Sequence, residues 1–429
     1  MGLKQTIANQ LELVRKNSLS LLDPLDNFQL TTQHSPLMSP LVWDLAHVGN
    51  YEDLWLLREL GSTAYDPSYD DIYDAFSHPR SQRPSLDLLS PEKARIYISE
   101  IRKRALDVLD KTSLDQPKGS VDNSFIYRLV IQHEHQHDET ILATLQLMKD
   151  PLLPPKPAPL LNKVPTQDKE TLIPGGYFRM GTDIDPWAYD NERPSYEVFV
   201  EDFFMDTFPV TNGEFLNFML DQGYSNPQYW TDKGWEWVQS GNIKSPLFWS
   251  QDSKGSWIRN RFGWEEAIDP QEPVQHVSWY EADAFARWTN KRLPTEVEWE
   301  KAASWDPKSN SKARFPWGNA DPDDSKANLN HLRFGPTRIG TYPNSVSKYG
   351  IHQMIGDVWE WVGNNFTPYP GYQSFPYDEY SKVFFGSDYK VLKGGSWASS
   401  SQVARNTFRN WDFPQRRQIF SGFRCARSI

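Results

Sequence analysis

Cysteine is almost absent from this sequence. Cys425 is the only one in 429 residues, so no disulfide forms within the chain, and cysteine-rich zinc or iron–sulfur sites are excluded. Long apolar runs are missing as well. No stretch of about 18 apolar residues occurs, and the N-terminal MGLKQTIANQLELVRKNSL lacks the apolar segment of a signal peptide. We therefore expect a soluble, cytoplasmic protein.

Basic clusters are the third absence. Acidic residues outnumber basic ones by 56 to 45, which gives a formal net charge of −11. No basic run of the kind that binds nucleic acid occurs, and an acidic surface disfavours anionic membranes. We therefore expect neither nucleic acid nor a membrane as a partner. Aromatic residues, by contrast, make up 14% of the chain, which suits a large core and pockets for stacked or cationic ligands.

The length exceeds that of one ordinary core and predicts two domains. Residues 1–150 carry four long segments with apolar residues at mixed three- and four-residue spacings, which predict a helical bundle. Prolines then crowd PLLPPKPAPLLNKVP, so we expect a semi-rigid, Pro-rich linker over residues 151–170. From 171 to 429, β-like runs such as YEVFVEDFFMD alternate with turns around one clear helix at SWYEADAFARWTNKR. This second pattern predicts an irregular α+β domain.

The fourth helical segment contains three histidines within the string HEHQHDET, residues 133–140. His133 and His137 stand at i and i+4 and share one face of a helix. His135 lies about 200° around from His133, at about 100° per residue, and we expect it to face solvent or neighbouring packing. His47 is the only other histidine within a predicted helix of this half. An isolated HxxxH is more often a pair of hydrogen-bonded polar residues than a metal site. The presence of His47 as a third histidine favours a metal site here.

Three neutral imidazoles without a thiolate or carboxylate ligand suit zinc or iron(II). Such a set leaves coordination positions open for substrate or oxygen, and the spacing does not choose between the two metals. Metal-binding histidines are commonly oriented by hydrogen bonds to their second ring nitrogen. Three nearby acids are candidates for that orienting role: Glu134, Asp138 and Glu139.

Several strings together resemble one enzyme family. MSPLVWDLAHVGNYEDLWLLREL, DAFSHPRSQRP and HEHQHDET resemble the DinB-like bundle of the sulfoxide synthases of ergothioneine biosynthesis. The second half resembles the formylglycine-generating-enzyme (sulfatase-modifying-factor) domain in strings such as IPGGYFRMGTD, RLPTEVEWEKAA, GDVWEWVGN and FSGFRCAR. The resemblance covers nearly the whole chain. It implies an α plus α+β protein, in which a DinB-like four-helix bundle precedes a C-type-lectin-like domain that lines the substrate pocket.

The resemblance also implies an activity. Enzymes of this family use Fe(2+) and O2 to join a thiol to C2 of the imidazole of hercynine (Nα-trimethylhistidine), producing a sulfoxide. By this resemblance, His47, His133 and His137 are the iron ligands and γ-glutamylcysteine is the thiol substrate. Arg80 and Arg83 match a pair that holds the carboxylates of that thiol, a role suited to the planar donors of arginine.

Four further substrate-binding residues follow from the resemblance alone. Gln136 matches a residue that hydrogen-bonds the hercynine imidazole. Asn410 and Trp411 match residues that line the pocket for its trimethylammonium group, a cation that the face of an aromatic ring attracts. Asp412 matches the partner of the ammonium group of the thiol substrate.

A tyrosine-rich stretch, YPGYQSFPYDEYS, supplies the expected proton donor. By resemblance Tyr377 is this catalytic acid and Tyr380 is a neighbouring pocket residue. A phenol is still protonated at neutral pH and can donate its proton. Tyr369 and Tyr372 repeat the same Tyr-xx-Tyr spacing, so a second register remains open.

Three alternatives also remain open. The chain could run the same chemistry with free cysteine or a selenium-bearing donor. It could be a zinc-dependent hydrolase or thiol transferase of the DinB type, or a ligand-binding protein without catalysis, since lectin-like folds often only bind. Formylglycine-generating enzymes depend on active-site cysteines, so with Cys425 alone we expect the second domain to serve as scaffold and pocket.

Overall fold

The computed structural model describes residues 2–118, 121–148, 153 and 169–429. The chain forms two compact units, Met1–Leu152 and Leu153–Ile429. The Pro-rich linker expected over residues 151–170 lies almost entirely outside the described residues. Among the helices of the described part, none combines the length and the apolar character that crossing a membrane requires.

Helices build the first unit, and the predicted four-helix bundle is confirmed. The four long helices are accompanied by two short helices, a π-helical continuation at Asp53–Arg58, a 3-10 turn at Arg83–Ser85 and a small hairpin. In chain order the elements are α1 (Leu3–Leu22), α2 (Asn27–Thr31), α3 (Leu41–Glu52), α4 (Tyr69–Tyr73), α5 (Pro91–Lys111), β1 (Pro117–Lys118), β2 (Val121–Asp122) and α6 (Asn123–Leu147).

Local sequence explains where the long helices begin. The side chain of Ser90 caps α5 by accepting from the Lys93 amide at 3.3 Å, and Pro91 occupies the first turn. Asp122 caps α6 in the same way, accepting from the Phe125 amide at 3.0 Å. In the bundle α3 packs on α5, and α1 packs on α6. This places α3 and α6, the two histidine-bearing helices, in mutual contact within one core.

Helix α3 changes form after Glu52. In the π-helical segment Asp53–Arg58 the backbone bonds to the fifth residue back, and Glu59 N donates to Leu54 O at 3.0 Å. Single π turns recur at functional sites in proteins. Glu52 and Asp53 are adjacent in the sequence, yet both are buried and they face different arginines.

The second unit is the irregular α+β domain that the sequence predicts. Its helices are α7 (Asn212–Leu220), α8 (Asp232–Gly241), α9 (Trp279–Trp288) and α10 (Glu296–Ser304). Its strands are β3 (Glu170–Ile173), β4 (Gly176–Met180), β5 (Tyr196–Val200), β6 (Phe203–Asp206), β7 (Trp249–Gln251), β8 (Trp257–Arg261), β9 (Trp264–Ala267), β10 (Trp305–Asp306), β11 (Ser311–Lys312), β12 (Trp359–Asn365), β13 (Lys390–Lys393), β14 (Asn410–Asp412), β15 (Ser421–Gly422) and β16 (Ala426–Ser428).

The strands of the second unit form several small sheets. The largest has the order β14-β13-β12-β15, in which β15 runs parallel to β12 and the other pairs are antiparallel. The run YEVFVEDFFMD forms two strands, as predicted, but they belong to different sheets: β5 pairs with β4, and β6 lies between β3 and β16. The chain therefore changes sheet within two residues, between Val200 and Phe203.

Buried ion pairs brace the core of the second unit. Arg424 pairs with Glu360 of β12 at 2.7 Å, and Arg409 pairs with Glu296 at the start of α10 at 2.6 Å. Each of these guanidinium groups is fully buried, and burial is tolerated because the opposite charge is in direct contact. Arg409 immediately precedes β14, so its pairing anchors the strand that carries three of the expected substrate residues.

Candidate metal centre

Three histidines meet in the first unit. His47 comes from α3, and His133 and His137 come from α6; their nitrogens lie within 4.8 Å of one another. Within the described ranges of the chain, this is the only group of three or more His, Cys, Asp or Glu side chains so arranged. His47 Nε2 and His133 Nε2 are 3.2 Å apart. The structure thus brings together the three residues that the sequence singled out.

The second ring nitrogens show how the cluster is oriented. His47 Nδ1 lies 2.6 Å from the carbonyl oxygen of Tyr73 at the end of α4. That carbonyl can only accept, so Nδ1 carries the proton and the lone pair of Nε2 faces the cluster. His137 Nδ1 lies 3.3 Å from Asp44 Oδ1, within ion-pair distance. The sequence reading missed Asp44, although its position three residues before His47 on one helix was an available signal.

Glu134 does not orient the ligand rings, so this expectation is wrong. Its carboxylate is fully buried and contacts Arg15 at 2.6 Å and Arg102 at 2.9 Å. The same two arginines contact Glu52, at 2.7 and 2.6 Å. We call Arg15, Arg102, Glu52 and Glu134 the ion quartet. One residue along a helix turns the side chain by about 100°, which directs Glu134 away from the histidine face.

Asp138 likewise serves another partner, and its expected orienting role is also wrong. It accepts a hydrogen bond from Ser18 Oγ of α1 at 2.6 Å and lies 3.3 Å from His135 Nδ1. We expected His135 to face either solvent or neighbouring packing. It is buried, so it packs against its neighbours. Glu139 is half-buried, and its role stays a prediction.

The surroundings of the cluster keep His47 and His133 neutral. Burial, with a further effect of the nearby His137, lowers the pKa of both His47 and His133 well below the ordinary value of 6.5. Neutral imidazole is the form that binds a metal. Two aromatic rings hold these imidazoles in place: Trp43 stacks on His47 with centroids 4.8 Å apart, and Tyr51 stacks on His133 at 3.7 Å.

The donor geometry fits a first-row metal. His47 Nε2 and His133 Nε2 lie 3.2 Å apart, and two imidazole nitrogens at that distance repel one another unless a proton or a cation lies between them. With metal–nitrogen bonds of about 2.1 Å, tetrahedral or octahedral coordination separates the ligand nitrogens by about 3.0–3.4 Å. The observed separation falls in that range. Three neutral imidazoles suit zinc(II) and iron(II) alike.

Arg83 is a buried structural arginine next to the cluster. Its guanidinium lies 3.6 Å from the centroid of the Trp43 ring. Burial lowers the pKa of Arg83 to about 10. Its donors are held by the Ser39 hydroxyl at 2.7 Å and by the carbonyls of Ala75 at 2.9 Å and His78 at 3.1 Å. Arg83 therefore braces the ring that stacks on His47, and its expected contact with substrate stays a prediction.

Arg80 and Gln136 occupy more open positions. Arg80 is exposed, and its Nη1 donates to the Leu37 carbonyl at 2.8 Å. Of the expected arginine pair it is therefore the one that a solute can reach. Gln136 is half-buried on α6 and lies between His135 and His137 in the sequence. Both substrate roles stay predictions.

In the second unit, the expected substrate residues Asn410, Trp411 and Asp412 form strand β14. The Trp411 ring stacks on Phe366 with centroids 4.2 Å apart, and Tyr380 meets it edge-on at 5.9 Å. Tyr377 in turn packs against Tyr380 in a T-shaped contact at 6.3 Å. The structure thus places Trp411, Tyr380 and Tyr377 in one continuous aromatic group.

Two neighbouring tyrosines are held by carboxylates. The Tyr372 hydroxyl donates to Asp190 Oδ2 at 2.5 Å, and the Tyr369 hydroxyl lies 3.5 Å from Glu296 Oε1. Burial raises the pKa of both phenols well above the ordinary value. The hydroxyls of Tyr372 and Tyr369 therefore have structural partners, and the choice between Tyr377 and the alternative register stays a prediction.

The single thiol is not placed for chemistry. Cys425 is fully buried, and burial raises the pKa of its thiol well above the ordinary value. Reactive cysteines have lowered pKa values and access to solvent. Cys425 thus does not supply the reactive thiol that a formylglycine-generating enzyme needs.

Comparison with known proteins agrees with this architecture. Residues 157–429 match the sulfatase-modifying factor enzyme 1-like domain, and residues 10–141 match the DinB superfamily. The hercynine oxygenase of Mycolicibacterium smegmatis is 45% identical over 435 residues, and that of Mycobacterium tuberculosis is 44% identical over 431; each alignment covers 99% of both chains. The inactive C-alpha-formylglycine-generating enzyme 2 of Mus musculus is 32% identical over 284 residues, covering 60% of this chain and 84% of that protein. The predicted fold class is confirmed.

Proposed function

Because this chain belongs to the family of the hercynine oxygenases, we propose that it is an Fe(2+)- and O2-dependent sulfoxide synthase of ergothioneine biosynthesis. In this proposal it joins the sulfur of γ-glutamylcysteine to C2 of the imidazole of hercynine. The observation that carries the proposal is the convergence of His47, His133 and His137 in a chain that aligns with those oxygenases along 99% of its length.

The three histidines would hold the iron. When bound, iron supplies a site for the thiol sulfur and the redox chemistry that O2 requires. The protein groups set its surroundings. The Tyr73 carbonyl fixes the tautomer of His47, and Asp44 lies against the outer nitrogen of His137. Both contacts keep ligand lone pairs aimed at one point, as supporting hydrogen bonds do in other metal sites.

The proposal assigns binding of the two organic substrates to separate groups. Trp411 offers a ring face to the trimethylammonium group of hercynine, a contact that contributes about 0.5–2 kcal/mol, with Asn410 and Tyr380 beside it. Gln136 bonds the hercynine imidazole. On the thiol substrate, Asp412 pairs with the ammonium group, and Arg80 with support from Arg83 pairs with the carboxylates.

Tyr377 acts as the acid in this proposal. Its phenol delivers a proton during oxygen reduction, and it is regenerated from solvent before the next cycle. The assignment follows the resemblance of the stretch YPGYQSFPYDEYS to the family, and Tyr377 packs against Tyr380, which meets the Trp411 ring edge-on.

One assay tests the activity and its alternatives together. Protein loaded with Fe(II) under nitrogen is mixed with hercynine and with γ-glutamylcysteine, cysteine or selenocysteine, exposed to air, and the products are weighed by mass spectrometry. A γ-glutamyl-hercynylcysteine sulfoxide supports the proposal. If a product forms only with cysteine or selenocysteine, that compound replaces γ-glutamylcysteine as the proposed donor. Tightly bound zinc without oxygen uptake instead supports the DinB-type hydrolase.

The same assay also tests the assignment of γ-glutamylcysteine as the thiol substrate. Replacing Arg80 with alanine removes a charge-assisted bond worth about 1.5–3 kcal/mol, which predicts a ten- to hundredfold rise in KM for γ-glutamylcysteine. Arg95→Ala, which removes a surface arginine of α5 paired with Asp23, is the matched control. An unchanged thiol KM in Arg80→Ala would remove Arg80 from the proposal.

A further inference from the structure

A continuous run of aromatic rings leads from the histidine cluster to the surface of the first unit. Its inner end is Trp43, whose ring stacks on His47 at 4.8 Å. Successive ring centroids beyond Trp43 are 6.4, 5.9, 5.1 and 5.2 Å apart. We call this run the tyrosine chain; its members, from inside to outside, are Trp43, Tyr73, Tyr69, Tyr97 and Tyr65.

The inner end of the tyrosine chain is buried, and its outer end is half-buried. Trp43, Tyr73 and Tyr97 are 1%, 0% and 3% exposed, whereas Tyr69 and Tyr65 are half-buried. The rings come from α3, α4, α5 and the loop before α4, so the run is a product of tertiary packing and not of one helical repeat. Its inner end is dry and its outer end meets water.

Tryptophan and tyrosine are the protein side chains that lose one electron most easily. Rings in van der Waals contact pass that electron vacancy from one to the next. When O2 is reduced at the cluster and hercynine is not bound, the oxidising equivalent has no substrate. Trp43 and the ligand His47 are then close targets, because their rings are stacked.

We propose that the tyrosine chain carries oxidising equivalents from the cluster to the surface when oxygen is reduced without hercynine. This inference rests on the proposed function, because it needs a redox metal on the three histidines. The tyrosine chain would protect the metal ligands by moving damage to residues that a solvent reductant repairs.

The electrons and protons transferred along this path balance. Trp43 gives one electron to the oxidant, and electrons pass inward along the tyrosine chain until the vacancy reaches Tyr65. The Tyr65 phenol loses its proton to water and becomes a neutral tyrosyl radical. A thiol in solution then returns one electron and one proton to Tyr65, and two such sulfur radicals couple to a disulfide.

Proton release gives the path its direction. Tyr73 is 0% exposed and its hydroxyl accepts from the Leu89 amide at 2.8 Å, so the inner phenol is shielded from the water that would take its proton. At Tyr65 the half-buried phenol reaches water, and loss of the proton holds the vacancy there. The outer end is therefore the stable stopping point.

The competing explanation is ordinary core packing in a chain rich in aromatic residues. Tyr69→Phe separates the two, because it keeps the ring packed between Tyr73 and Tyr97 but removes the oxidisable phenol midway along the path. The matched control is Tyr127→Phe. Tyr127 is a buried tyrosine of α6 outside the tyrosine chain, and its hydroxyl donates to Thr112 Oγ1 at 3.4 Å.

The experiment exposes iron-loaded protein to O2 and γ-glutamylcysteine without hercynine. Frozen samples are examined for a tyrosyl radical by electron paramagnetic resonance, and digests are mapped for added oxygen by mass spectrometry. In Tyr69→Phe we expect severalfold less radical and severalfold more oxidation of the peptides that hold Trp43, His47 and His133. Tyr127→Phe should match the unaltered protein, and synthesis with hercynine present should be unchanged in both variants.

Iron content is measured first, so that two failures are distinguished. If none of the proteins retains iron, the proposed function fails and the inference fails with it. If iron is retained equally, and radical yield and oxidation pattern are the same in Tyr69→Phe and the unaltered protein, only the inference is overturned. A change of equal size in Tyr127→Phe would also overturn it.

Discussion

At the residue scale, the metal centre depends on which face of α6 a histidine occupies. His133 and His137 face His47, whereas His135 is buried beside Asp138. We expect His133→Ala and His137→Ala to abolish iron loading, because two imidazoles hold the ion far less firmly than three. His135→Ala should keep its iron. Bound iron per protein after anaerobic gel filtration is the measurement, and equal losses in His135→Ala and His137→Ala would contradict the assignment.

The proposed acid is also a single-residue question. Tyr377→Phe keeps the ring against Tyr380 and removes the proton, so sulfoxide formation should fall by about 10²–10⁴-fold while substrates and iron still bind. Tyr372→Phe is the control. It removes the Tyr372 hydrogen bond to the buried Asp190 carboxylate, which keeps the one from Ser381; this costs about 1–3 kcal/mol of stability and should spare the chemical step. A loss of turnover in Tyr372→Phe alone would shift the register by one Tyr-xx-Tyr unit.

A buried histidine of the second unit makes its stability depend on pH. His276 lies against Phe248 and Phe420, and burial lowers its pKa from 6.5 to about 3. Between these values the unfolded chain binds a proton that the folded chain does not, so stability falls as the pH falls below 6.5. From pH 7 to pH 5 the loss from His276 is about 2 kcal/mol of unfolding free energy.

Urea unfolding of the second unit at both pH values measures this effect, with His276→Asn as the comparison. Asparagine suits the positive φ of 62° at this position and does not titrate. The variant should lose about 2 kcal/mol less than the parent between pH 7 and pH 5. An identical pH dependence in the two proteins would show that His276 does not contribute.

The three cluster histidines could be predicted from the sequence because i, i+4 spacing is a local property. Their orienting partners could not. Asp44 was within reach of a helical argument, but the carbonyl of Tyr73 meets His47 only through tertiary folding. Glu134 was misjudged because its arginine partners come from α1 and α5, which are distant in the sequence.

At the element scale, the ion quartet ties all four long helices together. Arg15 lies on α1, Glu52 on α3, Arg102 on α5 and Glu134 on α6, and all four side chains are buried. Arg102→Ala leaves two buried carboxylates with one arginine, which should cost about 3–5 kcal/mol of unfolding free energy. Arg95→Ala on the same helix removes a partly exposed ion pair and should cost less than about 1 kcal/mol. Denaturant unfolding of the first unit compares them, and equal costs would refute the role of the quartet.

The prediction of helices from the sequence was most accurate where the apolar repeat was long. The four bundle helices follow from apolar periodicity sustained over many turns. In the second unit only α9 was predicted, while α7, α8 and α10 were missed, although all four helices have nine or ten residues. A capping signature was nevertheless present: Thr211 and Glu214 cap α7 reciprocally, as Ser278 and Glu281 cap α9.

At the scale of the whole molecule, the metal should stabilise one unit selectively, because all three ligands lie in the first unit. At a metal concentration of about 100 times Kd, binding contributes about 2.7 kcal/mol, which corresponds to a rise in Tm of about 5–10 °C for a unit of this size.

Calorimetry with and without a chelator should therefore move the first-unit transition alone. Hydrogen exchange should locate the added protection in α3 and α6 and leave β12 unchanged. His47→Ala is the control in which the shift disappears. Equal protection of β12 by the metal would contradict a stabilisation confined to the first unit.

The π-helical segment Asp53–Arg58 bears on how this bundle tolerates changes in length. A π turn accommodates one residue more than an α turn, so the segment has the form of a single inserted residue absorbed directly after α3. Its position after Glu52 leaves the phase of His47 and of the ion quartet untouched. The stretch from His47 to Glu52 and the stretch from His133 to His137 are α-helical. Neither contains a π turn that absorbs an additional residue. When sequences of this family are compared, insertions and deletions should therefore occur after Glu52 and be absent from those two stretches.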